Sequence, residues 1–272
     1  RQMCIRDSFN FLLIKGRFGF PELGIRGAAI ATVIGAFVAA VMSIRSLFKK
    51  NSYVSIPYIS KNKIKPSTDA LKSISLLGSN LLVENFAMRV GFLTTAMLAA
   101  GLGTEQFAAH NVGMQFLSLG FAFADGMQVA AVSLSGQALG AKKPDDAIMY
   151  GHACQKIGLG ISVLLSILFF AFGDTLYGLF FDEPHIIEYG LLILKFITVI
   201  VLLQISQIIY GGVLRAAGDV KYTLLSTIVS VTIIRTVVTY VLVKVVGLGL
   251  TGIWIGVLSD QFSRFVFNLS LI

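Results

Sequence analysis

Glu84 is the one carboxylate in the apolar stretch Ser73–Ala100. A helix turns about 100° per residue, so Asn80, Glu84, Gly91 and Thr95 fall within a narrow arc of one face. A polar stripe with a single carboxylate suits a water-accessible cavity that binds a proton or a cation. It equally suits a salt bridge to a neighbouring helix, and the residues alone leave both open. Asp125 is a second candidate for proton sensing, or a residue of a vestibule. Gln204, Gln207 and Tyr210 mark one face of Ile186–Leu214, where they could line a substrate path or bond between helices. Four more charges have a structural role as their first reading. Arg89 lies five residues from Glu84, out of register for an intrahelical pair, and is expected to pair across helices or with carbonyls. Asp260 and Arg264 are spaced i,i+4 and can neutralise each other, while Arg235 needs Asp260 or Glu84.

Other chemistries are not represented. There is no HExxH, no Walker loop and no GxSxG, and Asp145–Asp146 is an isolated acidic pair. His110, His152 and His185 lie in three different elements, and Cys4 and Cys154 have neither metal spacing nor a disulfide framework. No metal, cofactor or enzymatic activity is expected. Without a nucleotide motif, any pumping must draw on an ion gradient.

The elements that hold these residues follow from composition. Of 272 residues, 56% are apolar and 13% charged, against about 25% charged in an average soluble domain. With a mean hydropathy of +0.82, too little polar surface exists to cover a water-soluble globule. A spanning helix takes about 20 residues, and runs such as Ile161–Phe172 lack the alternation of a barrel strand. The expected fold is all-α, a polytopic transmembrane helical bundle. The formal charge is +8, yet the basic residues sit mostly in loops, which argues for a lipid bilayer as partner and against nucleic acid.

Residues 1–8 are polar, unlike the apolar stretch after them, and read as a non-native leader, so the chain is expected to be a fragment. Residues 9–46 comprise the end of one helix (Phe9–Ile14) and a complete span, Leu23–Ser46, with a small-residue stripe at Gly27, Ala31, Gly35 and Ala39. Residues 47–72, with Lys49, Lys50, Lys61, Lys63, Lys65, Lys72, Pro57 and Pro66, form a basic linker. Residues 73–272 hold six spans: Ser73–Ala100, Glu105–Ser135, Ala147–Phe172, Ile186–Leu214, Tyr222–Val245 and Leu250–Ile272. Lys142, Lys143, Arg215 and Lys221 fall on one side, whereas Asp174, Asp182, Glu183 and Glu188 fall on the other. The positive-inside rule places the linker and C-terminus in the cytoplasm, and the expected location is a plasma (bacterial inner) membrane. Asn10–Lys15 and Leu23–Ile30 read like Thr239–Lys244 and Leu248–Ile255, an internal repeat of the kind that builds secondary transporters.

Gly19–Thr32, Leu102–Asn111, Ser135–Ala147, Gly212–Tyr222 and Leu248–Arg264 together resemble the multidrug and toxic compound extrusion (MATE) transporters, from about Phe9 to the end. The resemblance implies a six-helix C-terminal lobe preceded by the fifth and sixth helices of an N-terminal lobe. It implies an antiporter that exports amphipathic or cationic organic compounds in exchange for H+ or Na+ by alternating access. Such a transporter would need the N-terminal helices that this chain lacks, including a first helix whose acidic residue is central to coupling in many members. The alternatives are a lipid-linked oligosaccharide flippase of the same superfamily and, from another class, an intramembrane enzyme.

Overall fold

The computed structural model describes residues 2–14, 16, 22–48, 61 and 67–270. Most of the basic linker, including Lys49, Lys50, Lys63, Lys65, Pro57 and Pro66, lies outside the described residues. The chain divides into two compact units, Arg1–Leu71 and Lys72–Ile272.

In the first unit, α1 (Gln2–Leu13) and α2 (Gly24–Leu47) pack together. Gly27, Ala31 and Gly35 are buried while most of the rest of α2 is exposed or half-buried. A Cβ on Gly27 would run into the backbone of Leu13. The small-residue stripe therefore lets the backbones approach closely at that point, as packing between apolar helices requires. α1 begins at Gln2, so residues set apart as a leader are helical together with Phe9–Leu13.

The second unit contains α3 (Thr68–Ala100) from Lys72 onward, α4 (Thr104–Gly140), α5 (Pro144–Ala171), the short α6 (Gly173–Gly178), α7 (Pro184–Ala216), α8 (Val220–Val245) and α9 (Gly249–Leu269). Helix starts reflect local chemistry. Pro144 and Pro184 occupy first turns, where a missing N–H leaves no bond unmade. Asp219 caps α8 by accepting from the Tyr222 N–H at 3.3 Å, after Gly218 turns the chain at φ 93°. α3 starts five residues before its expected Ser73, so the end of the expected linker, Lys72 included, is helical.

α7 is the centre of this unit. Ile193, Ile197, Ile200, Val201, Ile205 and Ile209 are fully buried against α4, α5 and α9. An all-round apolar helix belongs at such a position. α8 is irregular: Ile228–Arg235 and Val241–Val245 are π-helical on either side of the α-helical turn Thr236–Tyr240. π segments of this length are uncommon and often occur where a helix must re-aim side chains.

Among the described residues, six helices are long and apolar enough to cross a membrane: α2, α3, α4, α5, α7 and α8. The sequence leads one to expect seven complete spans. α9 has 21 residues, enough for the hydrocarbon core at about 1.5 Å per residue. Its hydropathy is diluted by Asp260, Gln261, Arg264 and Asn268, all turned inward and buried.

Candidate functional site

In the second unit, α3, α4, α7, α8 and α9 enclose a cavity of about 380 Å³. Its charged lining is Glu84, Arg89, Asp125, Arg215 and Arg264. Glu84 is buried on α3, and its Oε1 accepts from Arg215 Nη2 at 2.7 Å and from Thr227 Oγ1 at 3.2 Å. Its Oε2 is buried and meets no donor among the described residues, and Arg215 Nε and Ser226 Oγ likewise lack partners there. Asp125, on α4, is exposed and lines the same cavity as Arg215.

Amide side chains fix the walls. Gln128 Nε2 donates to the Ile208 carbonyl at 3.2 Å, Asn268 Nδ2 to the Gln207 carbonyl at 2.9 Å, and Gln207 Nε2 to Gln261 Oε1 at 3.3 Å. Each bond spares a buried amide the desolvation penalty of an unmade one.

Behind the cavity lies a second charge cluster. Arg264 clamps Asp260 through Nε to Oδ1 at 2.9 Å and Nη2 to Oδ2 at 3.2 Å. Arg235 Nη1 reaches the same Oδ2 at 3.5 Å, its Nε donates to Thr95 Oγ1 at 2.9 Å, and its guanidinium lies 4.6 Å from the Phe92 ring centre. Of the two partners open for Arg235, the structure selects Asp260.

The structure gathers only some of the residues that the sequence singles out. Glu84, Asp125 and Gln207 meet at the cavity, joined by Arg89, which is exposed there and makes no ion pair or hydrogen bond among the described residues. Asn80 is half-buried and away from the lining. The stripe it heads is a helix seam rather than a cavity wall. Gly91 abuts Val231, so that a Cβ would collide with it, and Thr95 meets Arg235. Only the Glu84 end of the stripe opens into the cavity.

Gln204, Gln207 and Tyr210 part company, because steps of three residues drift about 60° around a helix. Gln204 is fully buried against α4, with Nε2 3.5 Å from the Leu117 carbonyl. Tyr210 lines a separate apolar hollow with Leu139, Pro144 and Ile148. His110 packs at a tilt on Trp254, and its Nδ1 has no partner among the described residues.

Arg215 is the principal residue that sequence reasoning misses. Its place in a basic loop suggests a charge facing lipid headgroups, yet it turns back from the end of α7 into the cavity. Thr223, Ser226 and Thr227 also line the cavity. Their i,i+3,i+4 spacing at the start of α8 is the signal that could have found them. Among the described residues, no group of three or more His, Cys, Asp or Glu side chains could hold a metal ion.

A family model described as MatE matches residues 81–241, more than half of the chain. A protein of Thermotoga maritima named probable multidrug resistance protein NorM is 31% identical over 260 residues, covering 96% of this chain and 55% of that protein. Its namesake in Bacillus cereus is 28% identical over 252 residues, covering 92% and 55%. The chain thus spans about half the length of these curated relatives. An outward-facing multidrug resistance MATE family transporter of the MOP superfamily superposes with a TM-score of 0.86 at 22% identity, over 99% of this chain and 60% of that one. At that identity the likeness is one of fold.

Proposed function

The chain belongs to the MatE family, and on that premise we propose that it supplies the cation-coupling lobe of a multidrug antiporter. In this reading the transporter exports amphipathic or cationic organic compounds in exchange for H+ or Na+ by alternating access. The observation that supports it is Glu84. One of its oxygens is held by Arg215 and Thr227, and the other is buried without a donor among the described residues, at the edge of a polar cavity. A carboxylate so placed can exchange its guanidinium partner for a proton, a sodium ion or a cationic substrate. Coupling then follows if the two access states differ in affinity for that cation.

The test is ligand binding to the chain in nanodiscs, with ethidium as the probe, over a series of pH values and sodium concentrations. Glu84→Gln keeps the shape and removes the charge. We expect it to weaken ethidium binding by about tenfold or more, near 1.4 kcal/mol, and to abolish the pH and sodium dependence. Wild-type dependence in the variant would reduce Glu84 to a structural residue.

A second reading has its own support. The cavity lining holds three arginines against two carboxylates, a balance that suits the anionic headgroup of a lipid-linked oligosaccharide. Flipping of such a lipid, with no ethidium binding, would favour the flippase.

We also propose that the membrane side reached at Lys142 and Lys143, and again where α7 gives way to α8 at Arg215 and Lys221, is the cytoplasm, since the segment between α5 and α7 on the other side carries Asp174, Asp182 and Glu183. In intact cells, Asp182→Cys should react with an impermeant thiol reagent and Ala141→Cys should not. The reverse pattern would invert the orientation.

A further inference from the structure

One face of α7 bears charges that take no part in the polar cavity. Glu188 and Lys195 are both exposed and line a separate groove of about 760 Å³, to which α9 contributes Leu258. Neither makes an ion pair among the described residues. His185, also in the groove, is already engaged, with Nε2 3.1 Å from Glu105 Oε1. Lys195 is the twelfth of the 33 residues of α7, which puts it about 16 Å along the axis from the helix start. A charge that far into a span is costly unless water or a counter-charge reaches it, and charges so placed mark ligand paths.

Each of the two charges has an aromatic neighbour. Tyr189 follows Glu188 and Phe196 follows Lys195, one heptad further on. Seven residues fall about 20° short of two full turns and advance about 10 Å. Both pairs therefore lie along one stripe of α7, with the carboxylate at one end and the ammonium at the other. Tyr189 and Phe196 are half-buried and packed against the core, so the rings are held while the charged ends stay free. Between the pairs, Leu192 lines the groove with apolar surface.

We infer that this groove binds a zwitterionic organic amphiphile lengthwise. Its cationic end meets Glu188 and Tyr189, its apolar body covers Leu192, and its anionic end meets Lys195 beside Phe196. The volume falls within the roughly 300–1,000 Å³ of small-molecule sites. A cation gains both from the carboxylate and from an adjacent aromatic ring. A compound with only a positive charge would lie against Lys195, and one with only a negative charge against Glu188. The groove therefore selects for both charges in one molecule, by repulsion as well as attraction. Glu84 and the direction of transport play no part in the site, so it stands apart from the antiporter reading.

The test compares two dyes on the full chain in phosphatidylcholine nanodiscs, by fluorescence anisotropy with empty nanodiscs as background. Rhodamine B is a zwitterion with an aromatic body, and its ethyl ester keeps the cation but loses the carboxylate. We expect rhodamine B to bind about tenfold tighter than the ester, the scale of one hydrogen bond to a charged group. Lys195→Met should abolish that preference, and Lys195→Arg should keep it. Glu188→Gln should weaken both dyes, and Glu84→Gln should leave the preference as it is. Glu188 and Lys195 are exposed, so their variants leave the core packing intact. Equal affinities for the two dyes, or unchanged binding in Glu188→Gln, would overturn the site. So would a preference that survives Lys195→Met and is lost in Arg89→Gln, which would put the carboxylate in the polar cavity.

Discussion

The seam between α3 and α8 ends in two ion pairs that differ in their access to water. At one end, Glu84 meets Arg215 beside an open cavity, and the arginine side chain is still 30% exposed. At the other, Arg235 and Asp260 are 1% and 0% exposed, sealed beneath Phe92 and clamped by Arg264. Each end recruits a threonine, Thr227 to Glu84 and Thr95 to Arg235. What differs is the alternative open to each charge. Arg215 can exchange Glu84 for water or turn toward Asp125, whereas Arg235 can leave Asp260 only at the expense of burying an unpaired charge. Similar residue types therefore sit within reach of cavity water at one end and form a sealed strut at the other.

The largest effect that tests this contrast is Asp260→Asn. It leaves Arg235 and Arg264 facing each other in a dry site without a counter-charge. We expect a loss of about 3–5 kcal/mol, the usual scale for breaking a buried pair, measured as a large drop in Tm or failure to recover folded chain. A mild shift would mean that the cluster is wetter than its burial indicates.

Arg215→Gln probes the open end. If the guanidinium competes with incoming cations for Glu84, removing it should tighten ethidium or sodium binding. The expected gain is about threefold to tenfold, the scale of a partly exposed pair worth near 1 kcal/mol. Weaker binding in Arg215→Gln would make the arginine part of the ligand site rather than its competitor.

Sequence makes some of this contrast legible. Composition and apolar runs are enough for an all-helical membrane bundle, because the bilayer dictates both helix length and apolarity. The i,i+4 spacing of Asp260 and Arg264 is enough for their pairing, since it is local to one helix. Arg215 is not legible: its neighbours Gly218 and Lys221 mark a basic loop, and only the tertiary fold turns its side chain back toward Glu84. Asn80, Glu84, Gly91 and Thr95 do share one face of α3. Helical periodicity says which residues share a face, but not whether that face meets water or another helix. The π-helical segments of α8 are invisible for a related reason, since its apolar composition reads the same in either helix type.

The two threonines allow the finest comparison. Thr95→Val and Thr227→Val each remove one hydroxyl and keep the β-branched shape, so packing and helix preference change little. At the sealed end, Thr95 Oγ1 accepts from Arg235 Nε at 2.9 Å, and a buried guanidinium N–H left without an acceptor costs about 1.5–3 kcal/mol. At the open end, Thr227 donates at 3.2 Å to an oxygen that Arg215 already satisfies at 2.7 Å. Cavity water can replace the lost donor, so the expected cost is about 0.5–1 kcal/mol. Thermal unfolding of both variants beside the parent chain gives the ranking. Thr95→Val should melt clearly below Thr227→Val, and Thr227→Val alone should alter the sodium or pH dependence of ethidium binding. Equal losses in the two variants would show that the Glu84 end is as dry as the Arg235 end, and the distinction between an exchangeable and a fixed charge would fail with it.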